Sequence, residues 1–315
     1  MSTVLESPVV HASSTTISER LRQTTAAIRL SFSWPGIRKA LSTAQRSRAA
    51  EAFDADGSSI AATKRLIDTS HPAFKAVTAV KSQATGYWKG MTLPFPEAGV
   101  RLIRQDRVEE FDSWMTELRL ELDEAVVALE RHYGELRAAA ARRLGTLFDE
   151  RDYPPTLTGL FQIDWDFPSV DPPNYLLELN SELYEQESRR VAARFDEAVQ
   201  LAEEAFTSEL VALVSHLADR LSGTEDGQPK IFRDSAVRNL TEFFERFREL
   251  NIRSSEQLDE TVEEARRVVH GIEPGQLREN HDLRQTVARE LTAVQNVLDD
   301  LLVDRPRRRI LRRPR

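Results

Sequence analysis

Chemistry in this 315-residue chain would have to come from a short roll of side chains. Asp164-Trp165-Asp166 sets two carboxylates at i and i+2, which on a strand share one face and can hold a hard cation. They are the candidate metal ligands, although neither a third acid nor a histidine stands beside them; the competing reading is the solvent face of an amphipathic strand. Asp54-Ala55-Asp56-Gly57 starts like a calcium loop, but Ser58 and Ile60 break the spacing and no Glu occupies the twelfth position, so a turn is expected. The six histidines, His11, His71, His132, His216, His270 and His281, form neither HxxxH nor HExxH. His132 and His216 fall on long helical stretches and would serve as a register device if those helices paired. No GxxxxGK[ST], GxGxxG or GxSxG occurs, so the sequence nominates no catalytic and no cofactor-binding residue.

The elements that would carry these residues are dominated by two amphipathic stretches, Val108–Phe148 and Leu176–Leu221. In the first, apolar residues recur from Val108 through Phe111, Met115, Leu118, Leu122, Val126, Leu129, Tyr133 and Leu136 to Leu147 at a mean step of about 3.5, close to a heptad. In the second, Leu179, Leu183, Val191, Phe195, Val199, Ala202, Phe206, Leu210, Leu213, Leu217 and Leu221 are spaced mostly by four, as a straighter helix requires. At about 1.5 Å per residue each would run on the order of 60 Å. The expected fold is mainly α with a small α+β head, the two long helices forming an elongated antiparallel stalk, plus a C-terminal helical region.

The expected organisation is a flexible terminus at 1–16, the head at 17–105, the helical hairpin at 106–222, the helical region at 230–303 and a basic disordered tail at 304–315. In the head, Ala26–Ser33 and Gly99–Arg104 read as strands and Ala49–Asp54 as a further short one. Ser58 or Ser59 would cap a helix reaching Asp68, and Pro72 starts another with Phe74, Val77, Val80 and Ala84 on one face. Asp106 is the expected cap of the first long helix. The proline-rich insert 149–175 contains an alternating strand at Leu160–Phe167, which either joins the head sheet or caps the far end of the stalk. Gly223–Pro229 is a turn-forming linker. Tyr87, Trp88 and Phe95, beside Pro94 and Pro96, make the densest aromatic cluster and are candidate partner-binding residues; the alternative is a helix end tucked onto a core.

Charge is distributed unevenly. With seven arginines and no acid in Arg305–Arg315, the formal net charge of −8 leaves −15 on the rest of the chain. Arg305, Arg307, Arg308, Arg309, Arg312, Arg313 and Arg315 would bind an acidic protein face, a neighbouring copy included, a nucleic-acid backbone or an anionic membrane surface. Cysteine is absent, which excludes disulfides and thiolate metal sites. No run of 18 apolar residues and no secretory signal is visible, so a cytoplasmic protein without a membrane span is expected.

The stretches GYWKGMTLPFPEAGVRLI at Gly86–Ile103, ERHYGEL at Glu130–Leu136 and FRDSAVRNLTEFFERFRELNI at Phe232–Ile252 resemble a family of bacterial and phage proteins known as a domain of unknown function. The similarity spans most of residues 25 to 270 and leaves Arg305–Arg315 outside. Genes of that family often lie near MoxR-type AAA ATPases and their von Willebrand A-type partner proteins. The resemblance therefore implies a component of a multiprotein machine, with a MoxR-type AAA ATPase as a partner, and supplies no active site. The function expected is a non-enzymatic interaction or scaffold protein, self-assembling as a homo-oligomer or docking to such a partner. The alternatives are a nucleic-acid-associated protein using its arginine tail, and a metal-dependent enzyme whose acids come together only in the fold.

Overall fold

The structure, a computed structural model, describes residues 15–222 and 233–303. In chain order the elements are α1 (Ile17–Thr24), β1 (Thr25–Ser33), β2 (Arg38–Ala40), α2 (Thr43–Glu51), β3 (Thr63–Arg65), α3 (Pro72–Gly90), β4 (Thr92–Pro94) and β5 (Val100–Arg104). There follow α4 (Val108–Leu144), β6 (Gln162–Asp166), α5 (Tyr175–Leu179), α6 (Ser181–Ser222), α7 (Ser235–Leu250), α8 (Glu256–Val269), α9 (Pro274–Glu279) and α10 (His281–Val303). With 68% helix and 10% strand the chain is mainly helical with little sheet. Two compact units divide it, and each gathers pieces distant in sequence.

One unit comprises Ala27–Met91 and Ile103–Pro168. Its core lies between α3 and α4, because both helices carry apolar residues at helical spacing on a single face. Phe74, Val77, Val80 and Ala84 of α3 are buried, as are Phe111, Met115, Leu118, Leu122, Val126, Leu129, Tyr133 and Leu136 of α4. Helix α3 begins on Pro72 with His71 as its cap, the His71 ring accepting from the Ala73 N–H. Helix α4 ends at Gly145, whose φ of +51° suits a residue without a Cβ. The expected cap by Asp106 is not made: Asp106 instead pairs with Arg104 at 2.5 Å, and no side chain caps α4.

The strand at Gln162–Asp166 joins the head strand rather than standing alone. β6 pairs antiparallel with β1, Arg29 opposite Asp166 and Phe32 opposite Ile163. A second antiparallel pair, β2 with β3, replaces two expected elements. Ala49–Asp54 falls in α2 and its C-terminal turn, not in a strand, because Ser42 and Gln45 form a reciprocal capping box that starts a helix at Thr43. Gly57–Ser59 makes one 3-10 turn, not the start of a helix to Asp68, since Thr63–Arg65 is drawn into pairing with Arg38–Ala40.

The other unit holds the described residues of 1–26, 92–102 and 169–315. Helix α6 is its axis, packed along α10, α7 and α1. Phe206 receives the ring edges of Phe243 and Phe247 from α7, and Phe95, just after β4, sets its ring against Phe195 at 5.5 Å. The second long stretch is broken at Asn180 into α5 and α6, and its apolar stripe is buried only from Val191 onward. A single stalk would need the two long helices to cover each other. They belong instead to different units, and each has a helical partner inside its own, α3 for α4 and α10 for α6. Residues 1–14, Gly223–Pro229 and the tail lie outside the described residues.

Candidate functional site

The two carboxylates of the DxD stretch point to solvent from β6. Asp166 lies opposite Arg29 in the register and pairs with it at 3.4 Å, while the Asp164 backbone oxygen accepts from the Ser31 hydroxyl at 3.3 Å. Between them Trp165 turns inward, donating its indole N–H to Asp112 at 2.8 Å under the Arg119 guanidinium, 4.4 Å from the ring centroid. Among the described residues no group of three or more His, Asp or Glu side chains is placed to hold a metal ion. Asp56 accepts the Ser58 N–H, as a turn does, and the backbone and side-chain bonds from Ser58 hold its carboxyl below the usual range.

The ring neighbour of His132 is His71, their centroids 5.1 Å apart. His71 Nδ1 is engaged in capping α3, and His132 Nδ1 sits 3.7 Å from Glu135. The pair joins the start of α3 to the middle of α4 and reads as packing.

The charged cluster that sequence alone does not reveal is Lys39, Lys64 and Asp152. Asp152 Oδ1 accepts from Lys39 and Oδ2 faces Lys64, each at 2.5 Å, and Lys64 also donates to the Leu147 carbonyl at 2.6 Å. The Lys64 and Asp152 side chains are only 5% and 2% exposed. Burial pushes the Asp152 carboxyl up, but the hydrogen bonds and charges of the two lysines outweigh it and hold the group below its usual value. An ionised carboxylate with both oxygens taken by ammonium groups is a tie, poorly suited to proton transfer. It fastens the β2–β3 hairpin to the exit of α4, helped by the Tyr153 hydroxyl on the Leu66 carbonyl. No sequence signal announces it, because a lysine in a three-residue strand normally faces water.

The aromatic cluster is divided. Tyr87 stacks on Phe111 at 5.7 Å and leans on Trp114 at 5.5 Å, Trp88 beside it is half-buried, and Phe95 is core of the other unit. In that second unit Arg101 donates to the Thr92 hydroxyl and carbonyl, and burial, then the Arg246 charge, lower its guanidinium to about 10. Arg305, Arg307, Arg308, Arg309, Arg312, Arg313 and Arg315 lie outside the described residues.

What stands out is an apolar stretch that stays exposed among the described residues. Tyr175, Leu177, Leu179 and Leu183, on α5 and the first turn of α6, are 61%, 56%, 76% and 40% exposed. Glu178 and Glu182 lie among them, exposed and outside every ion pair of the described residues. No family model, curated protein or solved structure matches the chain. The site must be argued from its own residues. Among the described residues no helix is long and apolar enough to cross a membrane.

Proposed function

We propose that this chain is a non-enzymatic interaction protein, placed in the cytoplasm, and that the exposed apolar stretch of Tyr175, Leu177, Leu179 and Leu183 is where another protein binds. The exposure of those four side chains carries the reading. Isolated apolar residues on a surface are ordinary, whereas four within nine positions form a patch of the kind that marks an interaction site. Covering one fully exposed leucine contributes about 1.5–3 kcal/mol, so these partly exposed side chains would form the apolar centre of a larger interface rather than the whole of it. Three acids point the same way, since Asp152, Asp149 and Asp166 are each engaged in ties to Lys or Arg.

A second copy of the chain is the first partner to test. A MoxR-type AAA ATPase is the next, an expectation resting only on the resemblance of Gly86–Ile103, Glu130–Leu136 and Phe232–Ile252. Photo-crosslinking tests the reading: a photoreactive residue at Leu179 is expected to give intermolecular adducts that one at Leu120, itself 61% exposed on α4, does not give. Equal yields at the two positions would contradict it.

A further inference from the structure

We infer that Phe32 and Trp34 form a binding corner for a methylated ammonium cation, and that Lys81 of the same chain fills it as an internal competitor. The corner lies wholly in the unit built on α3 and α4, and it is independent of the Tyr175–Leu183 stretch. Its walls follow from the strand period. Phe32 and Trp34 stand two positions apart at the end of β1, so their rings leave the chain on the same side. Pro35 disfavours a helical turn at Trp34, which lets the alternation continue past Ser33. Carried one step beyond the Ser33–Gln162 pair, the β1–β6 register sets Trp34 opposite Phe161.

The three rings meet edge to face. The Phe32 and Trp34 centroids are 6.2 Å apart with their planes at 79°, and those of Trp34 and Phe161 are 4.9 Å apart at 84°. Phe161 is buried and fixes the indole from behind, whereas Phe32 and Trp34 are half-buried and keep part of their surface in solvent. Two ring faces set nearly at right angles make a corner that a single cation can touch at once, and the negative π faces attract it.

The present occupant identifies the ligand chemistry. Lys81 lies on α3 next to buried Val80 and one turn after buried Val77, so its stem runs along the edge of the buried face. Its ammonium stands over both rings, 4.9 Å from the Phe32 centroid and 4.7 Å from that of Trp34. Among the described residues it has no carboxylate partner and no hydrogen bond, so the ring faces alone hold it. A primary ammonium is strongly hydrated, and its three N–H donors are better matched by water or a carboxylate than by a ring. A methylated ammonium has less hydration to lose and turns methyl groups to the same faces, which is what aromatic walls recognise. On its flexible four-carbon stem Lys81 can swing into water when such a cation arrives. A free amine of the choline kind and a trimethylated lysine on another protein carry the same headgroup, and the experiment separates them.

Titration calorimetry on the full chain uses choline, its uncharged isostere with a tert-butyl group in place of trimethylammonium, and a short peptide carrying trimethyllysine. The expected result is saturable choline binding to the Lys81→Ala chain, at least about 5-fold tighter than to wild type, where the internal cation must first be displaced. The uncharged isostere should bind at least about 5-fold more weakly than choline, and so should choline itself once Phe32→Leu, which keeps an apolar side chain but no π face, is added to Lys81→Ala. In the wild-type chain, saturating choline or peptide should speed acetylation of Lys81 and leave that of Lys75, exposed on the same helix, unchanged. Tighter binding of the peptide than of choline would assign the cation to a protein, and the reverse order to a small molecule. Equal binding of choline and its isostere would overturn the inference. No saturable binding of either cation, with Lys81 acetylation unchanged, would overturn it as well. Should Lys81→Ala fail to fold, the acetylation of the wild-type chain decides alone.

Discussion

Replacing Asp152 with alanine is expected to be among the most damaging single changes available in the unit built on α3 and α4. The carboxylate is 2% exposed and lies 2.5 Å from a Lys64 ammonium that is itself 5% exposed, so its removal leaves an uncompensated charge in a dry site. Removing one partner of such a pair costs about 3–5 kcal/mol, a large share of a total stability of about 5–15 kcal/mol. Lys39 sits on the same carboxylate but is 56% exposed, and Lys39→Ala should cost under about 1 kcal/mol. The double change Lys64→Met with Asp152→Leu should recover most of the loss, because no charge is then stranded. The assay is urea unfolding followed by tryptophan emission. Trp34, Trp88, Trp114 and Trp165 are the only tryptophans and all lie in this unit, so the signal reports on it alone. With a denaturant slope of about 2 kcal/mol per molar, the midpoint for Asp152→Ala should fall by about 1.5–2.5 M. The pH dependence has a definite sign. A carboxyl held below its unfolded value of 3.8 adds stability above that pH and loses it as pH drops through the folded value. The gap between wild type and Asp152→Ala should therefore be constant at neutral pH and shrink below about pH 4. Equal small losses for Asp152→Ala and Lys39→Ala would show that the cluster is solvated and refute the reasoning.

Two further outcomes are expected in the same unit. Leu122→Ala, at a fully buried α4 position, should cost about 2–5 kcal/mol, and Leu120→Ala, on the exposed face of the same helix, less than about 0.5 kcal/mol, both by tryptophan-monitored unfolding. Asp149, whose carboxyl accepts from the Arg151 side chain and backbone, should titrate at about 2 by NMR; Arg151→Ala should raise that value without fully restoring it, since the backbone donor at 151 remains.

Regular elements with one apolar face were legible in the sequence. The stripe from Phe111 to Leu136 and the alternation of Ile28, Leu30 and Phe32 specify α4 and β1 through periods that only a helix or a strand satisfies. The proline at Pro72 and the run at Gly99–Arg104 were as clear. The β2–β3 hairpin was not, because Arg-Lys-Ala and Thr-Lys-Arg carry no alternation; they pair because Lys64 finds Asp152, a contact 88 positions away in sequence. The helical run Thr43–Glu51 was hidden for a related reason, its start resting on a local capping box rather than on an apolar stripe. The candidate site was half legible. Periodicity picked out Leu179 and Leu183 as apolar positions of a helical face, but a period states only which side is apolar and not whether anything covers it. Coverage is a tertiary fact, and here it begins at Val191 and stops short of the first two leucines. Asp164 and Asp166 are a different case. They do share a face, and Arg29, 137 positions before Asp166, already occupies it.

The central claim, that the exposed Tyr175–Leu183 stretch binds another protein, is tested most directly by sedimentation velocity. Wild-type sequence is expected to sediment faster as its concentration rises, while the Leu177→Asp/Leu179→Asp variant, changed only at side chains 56% and 76% exposed, stays monomeric with its thermal midpoint nearly unchanged. The same concentration dependence in both chains would contradict the account.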